Sequence, residues 1–199
     1  MKSSLLGATL ALLTTTVHAA PLDLGYSGFY KHLDTVADAK VEHATLGFYL
    51  SRNDGSGWCH IHAGTVEVAG ETRGEVRVLP HGEFVLPFDK QLDLDKAVVR
   101  LDVDQPERCE ISIQIQSLLP AGEAGAEQLR GIRDEMKTLL KEMAGWPGRY
   151  FVPEIKGVQL QPLNQGALIQ GLPELALDDA ALAGDAQWPL PATRVTPWL

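Results

Sequence analysis

An α+β fold is predicted: an antiparallel β-sheet with two amphipathic helices packed on one of its faces. Three observations predict it. From Cys109 the chain alternates Cys109, Ile111, Ile113 and Ile115 with Glu110, Ser112, Gln114 and Gln116. That period of two places one face of a strand in a core and the other among polar groups. Residues 25–37 and 122–144 instead space their apolar side chains three and four apart, the period of a helix with one buried face. Between them lie short apolar or alternating runs divided by Gly and Pro, the pattern of an antiparallel sheet. A small β-sandwich with peripheral helices satisfies the same pattern and is the alternative.

Taken in chain order, Tyr26, Phe29, Tyr30, Leu33 and Ala37 form the stripe of the first helix, with Asp23 as its cap. Leu46, Phe48 and Leu50 alternate with Thr45, Gly47 and Tyr49 as a strand. Asn53-Asp54-Gly55-Ser56-Gly57 is a turn cluster, and a return from Trp58 to Val68 predicts a hairpin with a long loop. Short strands are expected at Val76 and Val78, at Phe84 to Leu86, at Val99 to Val103 and over 109–116. Leu129, Ile132, Met136, Leu139, Leu140 and Met143 give the second helix its apolar stripe, and Gly145 and Pro147 stop it. Val158 and Leu160 mark a last strand. Beyond it, residues 163–199 carry Pro173, Pro189, Pro191 and Pro197 with Asp178, Asp179 and Asp185. They predict an acidic, Pro-rich extension, with a brief helix at Ala180 to Ala183 and with Trp188 and Trp198 as docking points; a flexible tail is the other reading. No internal repeat is evident.

Residues 1–19 have the three zones of a cleavable secretory signal: Lys2, the apolar run Leu5 to Leu13, and Val17-His18-Ala19 before the cut. The apolar run is far shorter than the roughly 20 residues that span a bilayer, so no transmembrane anchor is expected once the signal is removed. A single domain is expected over 20–162. The whole chain holds 17 basic against 26 acidic residues, a net charge of −9. Such a balance repels phosphate backbones and anionic lipid, so no nucleic-acid partner is expected. Export places the protein in the periplasm, an oxidising compartment where cysteines pair. Cys59 and Cys109 are the two cysteines, and an even count with no C-x-x-C reads as a structural disulfide.

These residues carry a resemblance. The aromatic first helix (Tyr26, Phe29, Tyr30, Leu33), Leu46-Gly47-Phe48-Tyr49-Leu50, Cys59 after a turn, Phe84-Val85-Leu86-Pro87, and Cys109 followed by Ile111-Ser112-Ile113-Gln114 are similar to an uncharacterised proteobacterial family of exported, periplasmic proteins, a domain of unknown function. The resemblance covers roughly 26–161 and leaves the extension outside. It implies no activity and no catalytic residues.

For chemistry, the common signatures are missing: no G-x-S-x-G, H-E-x-x-H, phosphate-cradling loop or dinucleotide fingerprint occurs, and no cofactor is expected. The best constellation is His60 and His62, two apart on a strand so that both rings point the same way, with Glu110 across the disulfide. Two imidazoles and a carboxylate can hold zinc or copper, with His43 or His81 as a further ligand. Asp93/Asp95 and Asp102/Asp104 are paired if extended, and read as strand-edge charges. Trp58 shares the polar face with the histidines. A sheet covered by helices on one side leaves this aromatic and polar face free for contacts. The expected function is therefore a non-catalytic accessory or binding protein of the cell envelope, for an envelope protein or a small periplasmic ligand. The alternatives are a metal-binding protein using His60 and His62, and a small hydrolase without a sequence motif.

Overall fold

The computed structural model describes residues 21–199, so the signal reading of residues 1–19 and the cut before Ala20 lie outside it. Strand β1 (Leu22–Gly25) runs directly into helix α1 (Tyr26–Ala39), with Gly25 as the N-cap residue and no side-chain cap. Asp23 is not the cap. It sits in β1 opposite Arg100, which donates to both its carboxylate oxygens at 2.8 Å. β2 (Thr45–Arg52) follows, then β3 (Ile61–Val68), β4 (Glu71–Glu75), β5 (Arg77–Val78), β6 (Phe84–Val85), short α2 (Lys90–Leu94), β7 (Val98–Val103) and β8 (Cys109–Leu119). The second part holds β9 (Gly122–Gly125), α3 (Ala126–Gly148), β10 (Gly157–Pro162), β11 (Leu175–Asp178), short α4 (Asp179–Leu182), β12 (Gln187–Leu190) and β13 (Thr193–Trp198). Antiparallel sheets with helices make this an α+β protein.

Seven strands form the main sheet in the order β11-β10-β13-β8-β2-β6-β5. The even-numbered residues of β2 (Leu46, Phe48, Leu50) pair with Ile115, Ile113 and Ile111 of β8 and face the helices, as the period of two requires. On α1, Tyr26 and Phe29 are buried against Phe48, Leu50 and Phe84. On α3 the predicted stripe is realised: Leu129, Ile132, Met136 and Leu139 are all at most 1 % exposed and pack on Leu46, Ile115, Leu119, Val158 and Val195. α3 departs from helical geometry at Gly145 (φ 61°) and Trp146, where the sequence signals a stop. A four-stranded sheet, β1-β7-β3-β4, shares the α1 core through Val66, Val99 and Leu101. In the first part of the chain two sheets and α1 therefore contribute to one core.

The order of the main sheet has a two-fold pattern that the sequence conceals. β13 and β8 pair at the centre; next to each lies the strand that follows a long helix (β10, β2), and then another strand (β11, β6). β1 pairs β7 as β9 pairs β12. The short helices α2 and α4 precede β7 and β12, and each is capped by an aspartate: Asp89 accepts from the Gln91 N–H and Asp178 from the Ala181 N–H. The two halves share one plan, β-α-β-β-α-β-β, and β3 to β5 are an insertion in the first. The plan repeats in topology and not in residue identity, so no sequence repeat marks it.

Three expectations need correction. β2 and β3 are not a hairpin; β3 pairs β4 and β7, and only the bridge Ser51–Trp58 links the two segments. The turn chemistry is right, but the chain leaves the main sheet after the turn and joins the other. Asp93 and Asp95 are not on a strand, because they belong to α2 and its C-terminal cap. Residues 163–199 do not hang from the fold: β13 pairs β8 on one side and β10 on the other. Its prolines permit this. Pro197 lies past the last residue paired with β8, and Pro189 lies in a two-stranded sheet, positions where a missing N–H is tolerated.

Candidate functional site

The helix-free face of the main sheet carries the polar side chains. Pairing of β2 with β8 sets Thr45 opposite Gln116, Gly47 opposite Gln114, Tyr49 opposite Ser112 and Ser51 opposite Glu110. Tyr49, expected on the polar face, is fully buried there. Its hydroxyl donates to Gln116 Oε1 at 2.6 Å, and Gln116 Nε2 donates to Glu83 Oε2 at 3.0 Å. The same Glu83 oxygen meets His81 Nε2 at 3.0 Å. Every buried side-chain polar atom among the described residues has a partner, as buried polar networks require. Burial pushes the Tyr49 hydroxyl pKa up, against the nearby Arg194 guanidinium and the Gln116 hydrogen bond, which lower it. Gly47 is necessary for the network: a Cβ there would lie 2.3 Å from Gln116 Nε2 and 2.7 Å from Tyr49 Cε2.

An aromatic stack stands over this floor. The Tyr49 and Trp58 rings are stacked at 4.7 Å, and the Arg194 guanidinium lies 5.2 Å and 5.5 Å from their centroids. Arg194 is carried by β13, next to β8, and donates to Gln161 Oε1 on β10; Gln161 Nε2 in turn donates to Glu174. Trp58, His60, His81, Gln161, Gln165 and Arg194 line a cavity of about 450 Å³. The lining includes no serine, threonine, carboxylate or free thiol, since its cysteine, Cys59, is bridged.

The residues expected to act are distributed as follows. Cys59 and Cys109 form the predicted disulfide, with Cα atoms 6.1 Å apart. His60 and His62 are neighbours, ring centroids 4.6 Å apart, as the strand period predicts. Their carboxylate partner is not Glu110, which pairs across from Ser51, but Asp104, whose Oδ1 lies 2.8 Å from His62 Nε2. That hydrogen bond raises the His62 pKa and lowers that of Asp104. A register shift between Ile61 and Ala63 delivers His62 to Asp104. His43 instead contacts Glu135 Oε1 at 3.1 Å, at the α1–β2 turn. Among the described residues no group of three or more His, Cys, Asp or Glu is placed to hold a metal ion.

Of the tryptophans, Trp58 is at the cavity and partly exposed, whereas Trp188 is only 7 % exposed and packs into the α3 core. Trp198 is half-buried on β13, opposite Gly157. Sequence reasoning missed Tyr49, His81, Glu83, Gln161 and Arg194 as a group. The alternation that placed Gln114 and Gln116 on the polar face was the available signal for Tyr49. Nothing local marks Arg194, because β13 itself was not recognised. A separate exposed aromatic knob, Trp146, Tyr150 and Phe151, caps the end of α3.

Fold and site together define an α+β protein with a polar, aromatic-walled cavity on the open face of its sheet. Residues 18–161 match the family described as "Protein of unknown function (DUF2987)", and the chain belongs to that family. The match takes in Tyr49, Trp58, His81, Glu83 and Gln161 and stops short of Arg194. No curated protein and no solved structure matches the chain.

Proposed function

We propose that this is an exported, non-catalytic binding protein of the cell envelope, which takes a small periplasmic ligand or a segment of an envelope protein in the cavity between Trp58 and Arg194. The observation that carries the reading is the cavity's composition. An aromatic wall, one guanidinium, two imidazoles and two amides converge on about 450 Å³, the size and polarity of a small-ligand site. A lining without serine, threonine, carboxylate or free thiol favours binding over covalent catalysis through those groups. The signal-like N-terminus and the Cys59–Cys109 bridge support export, and no described helix is long and apolar enough to cross a membrane.

Two measurements test the reading. Mass spectrometry of the periplasmic fraction is expected to find a chain beginning at Ala20; an intact Met1 in the membrane fraction defeats the export half. A thermal-shift screen of periplasmic metabolites and short peptides is expected to yield a ligand whose effect disappears in Trp58→Ala. One observation favours a second reading, a hydrolase. His81 lines the cavity and is oriented by Glu83, the pairing that prepares an imidazole to activate water. Turnover of a bound compound that His81→Ala abolishes, while leaving binding intact, establishes that reading in place of the first.

A further inference from the structure

We infer that the ligand of this cavity is a carboxylate attached to a flat apolar group, held by Arg194 and Trp58. The inference rests on the binding reading above and specifies its chemistry. Acidic residues outnumber basic ones by 26 to 17, yet none lines the cavity. The ion pairs of Arg73, Arg100, Arg108, Arg133 and Arg149 are all with Asp or Glu. Arg194 instead donates to a neutral amide, and Glu174 lies beyond that amide. A guanidinium has five N–H donors in a planar fork, and Gln161 occupies only part of it. Held beside the Tyr49–Trp58 stack and fixed on an interior strand, the fork is pre-organised for two parallel bonds to a carboxylate.

The charge count selects carboxylate over phosphate. One permanent cation matches one negative charge. A phosphate dianion would meet Glu83 behind His81 and Glu174 behind Gln161 with no second permanent cation to offset them. Trp58, 36 % exposed, stands 5.5 Å from the guanidinium as the aromatic part of the lining, so the group bearing the carboxylate is expected to be aromatic or otherwise flat. Two sources share this chemistry, a free aromatic acid and the C-terminus of a peptide.

The experiment is a titration of the purified protein, followed by calorimetry and by the Trp58 indole resonance, with four probes: phenylacetate, phenylacetamide, N-acetyl-Ala-Phe and its C-terminal amide. At least one acid is expected to bind tenfold or more tightly than its amide, and the tighter of the two acids identifies the source. Arg194→Gln is expected to remove the acid–amide difference, Arg194→Lys to retain part of it, and Trp58→Ala to weaken acid and amide alike. Inorganic phosphate is expected not to compete. Equal binding of acid and amide, or displacement by phosphate, overturns the carboxylate inference and leaves the binding reading standing. No binding by any of the four at millimolar concentration overturns both. Arg194→Gln must melt like the parent; if it does not, Arg194→Lys carries the comparison.

Discussion

Replacing Glu135 by Ala removes the carboxylate that ties α3 to the turn between α1 and β2. One oxygen of Glu135 accepts three backbone N–H groups, from Glu42 at 3.1 Å, His43 at 2.6 Å and Ala44 at 2.9 Å, while the other meets His43 Nδ1. Hydrogen bonds to a charged group contribute about 1.5–3 kcal/mol each when desolvated. Only Ala44 is buried; the Glu42 and His43 bonds are exposed, and water takes over much of their share. Counting Ala44 in full and the other two at a few tenths to 1 kcal/mol gives a loss of about 2–5 kcal/mol. For a domain of this size that lowers Tm by about 4–20 °C. The sign in pH follows from the same contacts. Burial raises the Glu135 pKa, but the hydrogen bonds from Ala44 and His43 outweigh it, and the net shift is below the ordinary 4.5. A depressed pKa contributes stability that is complete above the unfolded value and is lost as pH falls through the folded one. Urea unfolding at pH 7 and pH 3 is therefore expected to show a gap between parent and Glu135→Ala that narrows at pH 3. A loss under 1 kcal/mol at pH 7, or a gap that widens in acid, would falsify the reasoning.

Four further outcomes are expected. Non-reducing peptide mapping links Cys59 to Cys109, and replacing both by Ala lowers stability by about 2–5 kcal/mol, in line with the roughly 4 kcal/mol that loop closure over 50 residues implies; unchanged stability contradicts this. By NMR, His62 titrates above 6.5 and returns toward that value in Asp104→Asn, because the Asp104 hydrogen bond favours the imidazolium; its contribution is complete below the unfolded pKa and is lost as pH rises through the folded one. Gly47→Ala forces Gln116 and Tyr49 to move, at about 1–3 kcal/mol, and disturbs the Trp58 stack. Gly28→Ala in α1, where a Cβ meets nothing within 4 Å, is stabilising by about 0.5–1 kcal/mol; the two variants behaving alike in melting and tryptophan fluorescence rejects the contrast. Deleting residues 187–199 removes an interior strand and the buried Trp188, and is expected to abolish cooperative unfolding; a truncated chain that melts sharply near the parent temperature shows that β13 is dispensable.

The sequence by itself determined the features whose physical signal is local. The period of two in β8 and of 3.6 in α3 states which side chains turn inward, because each element must bury one face whatever it packs against. The cysteine pair needed only parity and compartment. The proximity of His60 and His62 followed from strand geometry alone. Tertiary structure decided everything that depends on which elements become neighbours. β3 leaves β2 for β7 because its apolar residues complete the α1 core in the second sheet, and no turn residue encodes that choice. A bulge of one residue gives His62 to Asp104 instead of Glu110. The prolines after 163 suggest a loose extension, yet β13 uses the register that spares its Pro197 and closes the sheet between β8 and β10. Arg194 reaches Trp58 only through that closure. Residues 136 positions apart thus form one wall of the cavity, and such a separation leaves no periodicity, spacing or motif from which the contact could be read.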